Sequence, residues 1–470
     1  MTSDPHEVTA VERATKRSTL LVATISSFLM PFMASSVNVA LPSIGRDFAM
    51  DAVALSWVAT AYLLAAAMLL VPFGRWADLA GRKKIFAIGM GVYSLASLII
   101  ALAPNGTVMI AGRALQGAGA TMTFSTSMAV LMSVFQPGER GRVIGITVAA
   151  VYLGLSLGPT AGGLLTHYWG WRSIFFLNVP TGLFVLAIIL WKLKGEWSAT
   201  DGGGFDVPGT LLYSLALLLM IYGFSVLPAV FGGVLIAIGL LGLAAFLKWE
   251  TVARSPLLNL NLFRGNTTFV WSNVAALINY SATFAVTFLL SLYLQYIKGL
   301  TPQTAGLVLV AQPIVMAALS PVAGRLSDHH EPRLVASIGM ALTTVGLLLL
   351  VFSGNHTSIP FIVAALMILG SGFGLFSSPN TNAVMSAVDK RYYGVASAVL
   401  GTMRLTGQTL SMGTVMLIFA LVIGRVQITP ESYPLFLRSV HIAFVLFTLL
   451  CAAGVAASLA RGKTQSRAAS

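Results

Sequence analysis

Arg113 lies inside an apolar stretch long enough to cross a lipid bilayer, and no apolar stretch of the sequence contains an aspartate or glutamate to pair with it. A guanidinium at membrane depth costs from about 3 kcal/mol to more than 10, so a charge at such a position commonly marks a transport path. The chemistry that Arg113 predicts is therefore charge compensation for an ion or substrate that moves through a membrane.

The residues that follow Arg113 support this interpretation. Gln116, Gly117 and Ala120 lie three, four and seven positions further on, so they share one face of a helix with Arg113. A structural arginine bonded to backbone carbonyls of a neighbouring helix is the alternative. Polar side chains in other spans are candidate substrate contacts, although several of them could merely join helices through hydrogen bonds. These candidates are Asn38, Tyr62, Gln116, Tyr152, Asn279, Gln312, Asn380 and Arg404.

The elements that hold these residues are predicted from composition. Of the 470 residues, 57% are hydrophobic and only 9% are charged, and the mean hydropathy is +0.86. Helices of about 20 apolar residues cross a bilayer, and fourteen such runs occur between residues 19 and 459. The predicted fold is an all-α membrane protein with 14 transmembrane helices. No phosphate-cradling, metalloprotease or nucleophile motif occurs, so neither an enzyme nor a cofactor or metal site is predicted.

The positions of the basic residues predict the orientation. Of the 28 lysines and arginines, 21 fall on one side, five on the other, and Arg113 and Arg404 lie inside spans. Cytoplasmic loops carry such an excess, so both termini are predicted to be cytoplasmic. The predicted location of the protein is the plasma (inner) membrane. The net charge of +13 thus reflects topology rather than binding of nucleic acid.

An internal repeat indicates how the spans are grouped. The sequence GRWAD at residues 74–78, after the second span, recurs as GRLSD at 324–328, after the tenth. Two parallel halves of six spans, separated by two inserted spans, would produce this spacing. The predicted organisation is a cytoplasmic tail (1–18), a six-helix half (19–195), a linker with spans 7 and 8 (196–265), a second six-helix half (266–460) and a tail (461–470).

The loop from Gly74 to Lys84 resembles the G-x-x-x-D-x-x-G-[RK]-[RK] signature of the major facilitator superfamily. The sequence from Arg113 to Gly117 is similar to that family's R-x-x-Q-G motif, whose arginine is implicated in proton coupling. Span five, with Gly154, Gly158, Pro159 and Gly162, looks like the motif typical of the family's antiporters. Further matches, such as Asn38 to Pro42 and Arg404 with Gly407, resemble the fourteen-span drug:proton antiporters. The resemblance implies coupling or gating roles for Gly74, Asp78, Arg82, Arg113, Gly158 and Pro159.

One departure from that branch affects the coupling mechanism. Phe32 and Met33 stand where the branch usually has Leu-Asp, and the aspartate there is a candidate proton site. All fifteen acidic residues of this chain lie in tails or loops. Protons are therefore a predicted partner without an obvious carrier inside the spans, and Asp78 and Asp47 are the named candidates outside them.

Three functions follow as hypotheses. The first is secondary active transport by alternating access, with proton-coupled efflux of amphipathic drugs or other small hydrophobic compounds. The second is exchange or facilitated movement of anionic or zwitterionic substrates, with Arg113 and Arg404 as counter-charges. The third is a membrane sensor that keeps the carrier fold and transports nothing. The expected partners are a small-molecule substrate, protons and the lipid bilayer.

Overall fold

The computed structural model describes residues 5–193, 204–253, 256, 262–389 and 392–461. Within these ranges the chain forms fourteen long helices and no β-strand. We number them α1 (Pro5–Asp47), α2 (Ala52–Ala80), α3 (Arg82–Ala101), α4 (Gly106–Val134), α5 (Pro137–Trp169), α6 (Arg172–Lys192), α7 (Val207–Val226), α8 (Val230–Glu250), α9 (Thr267–Leu292), α10 (Pro302–Leu309 and Ala311–His329), α11 (Pro332–Val351), α12 (Ile359–Ser386), α13 (Tyr393–Val422) and α14 (Tyr433–Leu459). A π-helical turn, Tyr293–Ile297, extends α9. The predicted all-α architecture with fourteen transmembrane helices is confirmed.

α4 differs from the other helices in its polarity. Thirteen helices in the described part of the chain are long and apolar enough to cross a membrane, and α4 is not among them. Its 29 residues span about 44 Å, which is sufficient length, but Arg113, Gln116 and several glycines and threonines lower its hydropathy. α4 packs against both α2 and α3. Neighbouring helices therefore shield the polar side chains that would be costly in contact with lipid.

The helix contacts repeat with a shift of eight helices. α1 packs on α5 as α9 packs on α13, and α2 packs on α4 as α10 packs on α12. The pairs α3–α4 and α3–α6 likewise have counterparts in α11–α12 and α11–α14. We infer that α1–α6 and α9–α14 are the two halves that the repeated loop sequence predicts, and we call them the first and second half.

α7 and α8 form a pair at the edge of the bundle. They pack on each other, and α7 also contacts α2 and α13. Only 22% of the most apolar segment of α8 is buried, so most of its surface is available to lipid. Parts of the predicted linker and of the C-terminal tail, residues 194–203, 254–255, 257–261 and 462–470, lie outside the described residues.

α10 is interrupted at Val310, between its two segments. Pro313 has no backbone N–H, so the carbonyl of Leu309 receives no bond from the residue four positions later. The segment Pro302–Leu309 packs mainly on α5 of the first half, whereas the longer segment packs mainly on α12 of its own half. One helix thus connects the two halves at one end and belongs to the second half at the other.

Candidate substrate cavity and its charged residues

A cavity of about 650 Å³ lies between the two halves. Its walls come from α1, α4 and α5 of the first half and from α9, α10, α12 and α13 of the second. Most lining residues are apolar or aromatic, including Phe124, Met128, Leu155, Phe284 and Phe373. Thirteen of the 28 lining residues are polar, and a wall that combines apolar surface with polar groups is typical of sites for small organic ligands.

Hydrogen bonds between the halves close one end of this cavity. Ser291 Oγ donates to the carbonyl of Asn38 at 2.6 Å, and Gln295 Nε2 donates to the carbonyl of Val39 at 2.9 Å. The backbone N–H of Ala52 donates to the carbonyl of Val426 at 3.0 Å. These residues lie at the ends of α1, α2 and α9 that are remote from the basic loop Gly74–Lys84.

Close backbone contacts also hold this end together. A Cβ atom at Gly306 in α10 would collide with the carbonyl of Pro159 in α5, and one at Gly163 would collide with the carbonyl of Pro302. Only glycine permits such an approach without displacing backbone. The short segment of α10 and the end of α5 are therefore fitted to each other across the interface of the halves.

The other end of the cavity is open toward the side that carries the loop Gly74–Lys84, which we call the basic side. Phe124, Met128 and Val148 line the cavity and expose 53%, 41% and 42% of their surface. Thr381 and Asn382, near the end of α12 on that side, belong to the lining as well. The exposed part of the described lining thus lies toward the basic side.

Arg113 does not line this cavity. Its side chain is 2% exposed, and its Nε donates to the carbonyl of Val58 in α2 at 3.0 Å. Nη1 donates to Gln116 Oε1, and the guanidinium stacks on the ring of Tyr62, with Cζ 4.5 Å from the ring centroid. Gln116 Nε2 in turn donates to Ser97 Oγ at 2.8 Å. Arg113, Tyr62 and Gln116 are thus brought together, but in a packed cluster between α2, α3 and α4.

Arg404 has the opposite environment. It is half-buried, lies in the cavity wall, and its Cζ is 5.5 Å from the centroid of the Tyr280 ring. Within the part of the chain that the structure describes, no carboxylate or carbonyl oxygen accepts a hydrogen bond from its guanidinium. It is also the one charged side chain among the described residues of the lining.

The other predicted substrate contacts divide between the cavity and the helix packing. Asn38, Tyr152 and Gln312 line the cavity, and the hydroxyl of Tyr152 shares a hydrogen bond of 2.8 Å with Ser320 Oγ in the other half. Asn279 and Asn380 are 0% and 2% exposed and do not line it. Neither polar atom of the Asn279 amide has a hydrogen-bond partner among the described residues.

The predicted coupling and gating residues lie in three separate places: the cluster around Arg113, the loop Gly74–Lys84 and the glycine row of α5. Asp78 Oδ1 accepts a hydrogen bond of 2.9 Å from Arg82 Nε, and Arg82 Nη1 donates to Ser133 Oγ at 3.1 Å, so this pair ties α2 and α3 to the end of α4. At Gly74 there is no close helix approach, because an added Cβ would meet only Ser125 Cβ, at 3.9 Å. The second GRxxD copy ends at Asp328, whose side chain lies outside the described part.

The glycine row of α5 packs against α1. A Cβ at Gly158 would collide with Ser35, and one at Gly162 would lie 2.7 Å from Ser36 Cα. Ser36 Oγ donates to the carbonyl of Gly158 at 2.9 Å. Pro159, the next residue, lines the cavity. The motif therefore provides close packing within the first half and places Pro159 at the interface of the halves.

Phe32 and Met33 lie inside the helix packing of α1. They are 5% and 0% exposed, and neither lines the cavity. The described residues contain no group of three or more histidine, cysteine, aspartate or glutamate side chains that could hold a metal ion.

Three cavity residues at or near Arg404 are among those that escaped the sequence analysis. Tyr280 stacks on Arg404 and meets Phe373 edge-on, with ring centroids 5.5 Å apart. Gln408 lines the cavity one helical turn after Arg404. The spacing of four residues from a membrane arginine was a usable signal for Gln408, whereas the aromatic pair belongs to two helices and had none.

Comparison with known proteins places this architecture in a family. A family model described as Major Facilitator Superfamily matches residues 23–411 and 272–469. The chain is 33% identical to the multidrug resistance protein Stp of Mycobacterium tuberculosis, over 84% of this chain and 74% of that protein. It is 32% identical to the cephamycin export protein CmcT of Amycolatopsis lactamdurans, over 84% and 83%. Identity to the riboflavin transporter RibZ of Clostridioides difficile is 29%, over 82% and 84%.

Solved structures share the fold at lower identity. A bacterial homologue of the human lysosomal transporter Spinster, inward-facing and unoccupied, superposes with a TM-score of 0.71 at 15% identity, covering 95% of this chain and 97% of that one. A variant of the peptide transporter POT in complex with sulfate gives 0.69 at 13% identity, covering 95% of each. The family match and the relatives above 30% identity show that this chain belongs to the major facilitator superfamily and is a multi-pass membrane transporter, not an enzyme.

Proposed function

We propose that the protein exports amphipathic small molecules from the cytoplasm by alternating access between its two halves. The observation that carries this proposal is the cavity of about 650 Å³, which is closed at one end and open toward the basic side. The excess of lysine and arginine favours a cytoplasmic location for that side. Loading would then occur from the cytoplasm, as export requires.

The wall of the cavity supports an amphipathic cargo. Apolar surface from Phe124, Met128, Leu155 and Phe284 would bind a hydrophobic body without requiring a fixed geometry. Thirteen of the 28 lining residues are polar, and these would bind the polar part of the cargo. Relatives named for multidrug resistance, cephamycin export and riboflavin transport support the same class of cargo.

Alternating access requires that the closed end separates. The interhalf bonds of Ser291 and Gln295 and the contact of Gly306 with Pro159 would be broken in that step. On the basic side, the tie between Asp78, Arg82 and Ser133 would hold α2, α3 and α4 as one unit while the halves move. Gating roles for Asp78, Arg82, Gly158 and Pro159 remain proposals on this basis.

Proton coupling belongs to the same proposal, and the antiporter-like motif of α5 favours it. The lining of the cavity has no acidic side chain or histidine among the described residues. The proton would therefore be exchanged through Asp78, paired with Arg82, or through Asp47, paired with Arg172 at 2.6 Å. Exchange or facilitated movement without protons is the second candidate, favoured by the unpartnered cation Arg404 in the cavity.

Transport by purified protein in liposomes tests the proposal. A panel of cationic, neutral and anionic amphiphiles is loaded, and counterflow is measured for each compound. Ala34→Phe would fill part of the cavity and should abolish flux, whereas Ala245→Phe, on the exposed face of α8, should leave it normal. If no compound in the panel shows counterflow, the result favours a sensor. Equal flux in the two variants would exclude this cavity as the transport path.

The driving force is tested in the same vesicles. Under the proposal, dissipating the pH gradient stops uphill movement of the cargo, and Asp47→Asn or Asp78→Asn identifies the proton-carrying group. Uphill movement that survives loss of the pH gradient would favour the exchanger or facilitator instead.

A further inference from the structure

We propose that Arg404 binds the negatively charged group of the cargo, so that the preferred substrates are amphipathic organic anions such as aromatic carboxylates. This inference rests on the proposed function and specifies the substrate class of the same cavity. Of the two arginines that the sequence hypothesis names as counter-charges, it selects Arg404, which lines the cavity, over Arg113, which does not.

The first argument is the unmet hydrogen-bonding capacity of Arg404. A guanidinium carries five N–H donors and cannot lose its charge in a protein. Cζ of Arg404 lies 5.5 Å from the centroid of the Tyr280 ring, a cation–π contact that satisfies none of the N–H donors with an oxygen acceptor. No described residue accepts them either. Those donors remain available to a ligand in the cavity.

The second argument is the charge balance of the cavity. The acidic residues of the described chain lie at helix ends or between helices, and no carboxylate belongs to the described lining. A cationic ligand would bring a second positive charge into an apolar cavity, where repulsion is poorly screened. An anion would neutralise Arg404 and form charge-assisted hydrogen bonds, which are roughly twice as strong as neutral ones.

The third argument is the arrangement around the arginine. Tyr280 meets Phe373 edge-on, and its ring lies 5.5 Å from Cζ of Arg404, so an aromatic pair stands beside the guanidinium. A fixed planar fork matches two carboxylate oxygens better than a flexible ammonium does. Gln408 lies one turn along the same face of α13 and adds an amide donor. Tyr152, from the first half, lines the same cavity.

A ligand bound at Arg404 would also contact both halves of the protein. Its anionic ligand would contact α9 and α13 of the second half, while the hydrophobic body would rest on Phe124 and Leu155 of the first. A molecule with a charged end and an apolar body therefore meets both walls. A small inorganic anion would meet only one of them, which predicts selection for amphipathic rather than simple anions.

Two fluorescent probes of matched shape test the inference. Dansylglycine carries a carboxylate at neutral pH, and dansylglycinamide is its neutral counterpart. We expect the purified wild-type protein to bind the carboxylate roughly 10- to 100-fold more tightly, the factor typical of hydrogen bonds to a charged partner. Arg404→Gln should reduce that ratio to about one while leaving the affinity for the amide unchanged. Arg404→Lys should keep part of the preference, because it keeps the charge and loses the fork.

Arg438→Gln is the matched control. Arg438 is exposed near the start of α14 and lies outside the cavity. Its replacement should therefore leave the ratio at the wild-type value. A ratio unchanged in Arg404→Gln, or a wild-type ratio near one, overturns the assignment of Arg404 and leaves the proposed function intact. If the wild-type protein binds neither probe, that result contradicts the proposed function itself.

Discussion

Arg113 and Arg404 are the same residue type at membrane depth, yet they have different surroundings. Arg113, on α4, is bonded to Val58 and Gln116 and covered by the Tyr62 ring. Arg404, on α13, has only the ring of Tyr280 against it and faces the cavity. The comparison shows that burial of a charge does not by itself locate a transport site. A cation that is hydrogen-bonded to a neighbouring helix stabilises the fold, whereas one without such a bond is available to a ligand.

Replacing Arg113 should produce the largest effect. Arg113→Ala leaves the Val58 carbonyl and the Gln116 amide oxygen unpaired in a buried cluster, which should lower the free energy of unfolding by about 2–4 kcal/mol. Thermal unfolding of the purified protein in detergent measures the loss, with Arg438→Ala as the control. Full stability combined with lost transport would instead restore a direct coupling role for Arg113.

Replacing Arg404 should affect transport and leave stability alone. Since no described residue accepts a hydrogen bond from it and only the contact with Tyr280 is lost, Arg404→Gln should change the free energy of unfolding by less than about 1 kcal/mol. The same variant should raise the KM for an aromatic carboxylate roughly 10- to 100-fold in liposomes. A loss of stability comparable to that of Arg113→Ala would erase the distinction between the two arginines.

Cysteine labelling tests whether water reaches the surroundings of Arg404 but not those of Arg113. The one native cysteine, Cys451, is buried, so background labelling should be low. Gln408→Cys, in the cavity beside Arg404, should react with a water-soluble maleimide at least about tenfold faster than Gln116→Cys, beside Arg113, because thiol reactions require access. Similar rates for the two cysteines would show that the Arg113 cluster is hydrated as well.

The smallest effect is expected at the ring that covers Arg404. A cation–π contact at a partly exposed site contributes about 0.5–1 kcal/mol, so Tyr280→Leu should weaken anion binding roughly two- to fivefold. Tyr280→Phe keeps the ring and should bind nearly as well as the wild type in the dansylglycine assay. Equal losses in both variants would assign the effect to the hydroxyl rather than to the ring.

The fold was predictable because a bilayer leaves few options for the backbone. Every N–H and C=O within the hydrocarbon must be bonded inside the chain, so long apolar runs become helices. Even α4, whose polar residues lower its hydropathy, is recognisable between its neighbours. The break in α10 was not anticipated, although Pro313 provides its physical cause.

The site was only partly predictable, because a polar residue in a membrane helix faces either a neighbouring helix or a cavity. Asn38, Tyr152, Gln312 and Arg404 face the cavity, whereas Tyr62 and Gln116 do not. Rotation of each helix decides the outcome, and glycine contacts fix that rotation.

The orientation of α4 illustrates this control. Gly117 packs directly on the backbone of Tyr62, and Gly119 packs on that of Tyr93. Arg113 lies four residues before Gly117 and therefore shares the face that is pressed against α2. The contact of Gly117 with Tyr62 therefore holds Arg113 within the helix packing rather than at the cavity.

The interruption of α10 at Val310 has a mechanical consequence. The eight residues Pro302–Leu309 hold the closed end against α5, while the longer segment is anchored on α12. A helix that already lacks a hydrogen bond at Pro313 bends there more easily than an intact one. We therefore expect the closed end to open through a hinge at Val310, with the short segment acting as a latch. Release of that latch would set the rate of cargo exit independently of the affinity at Arg404.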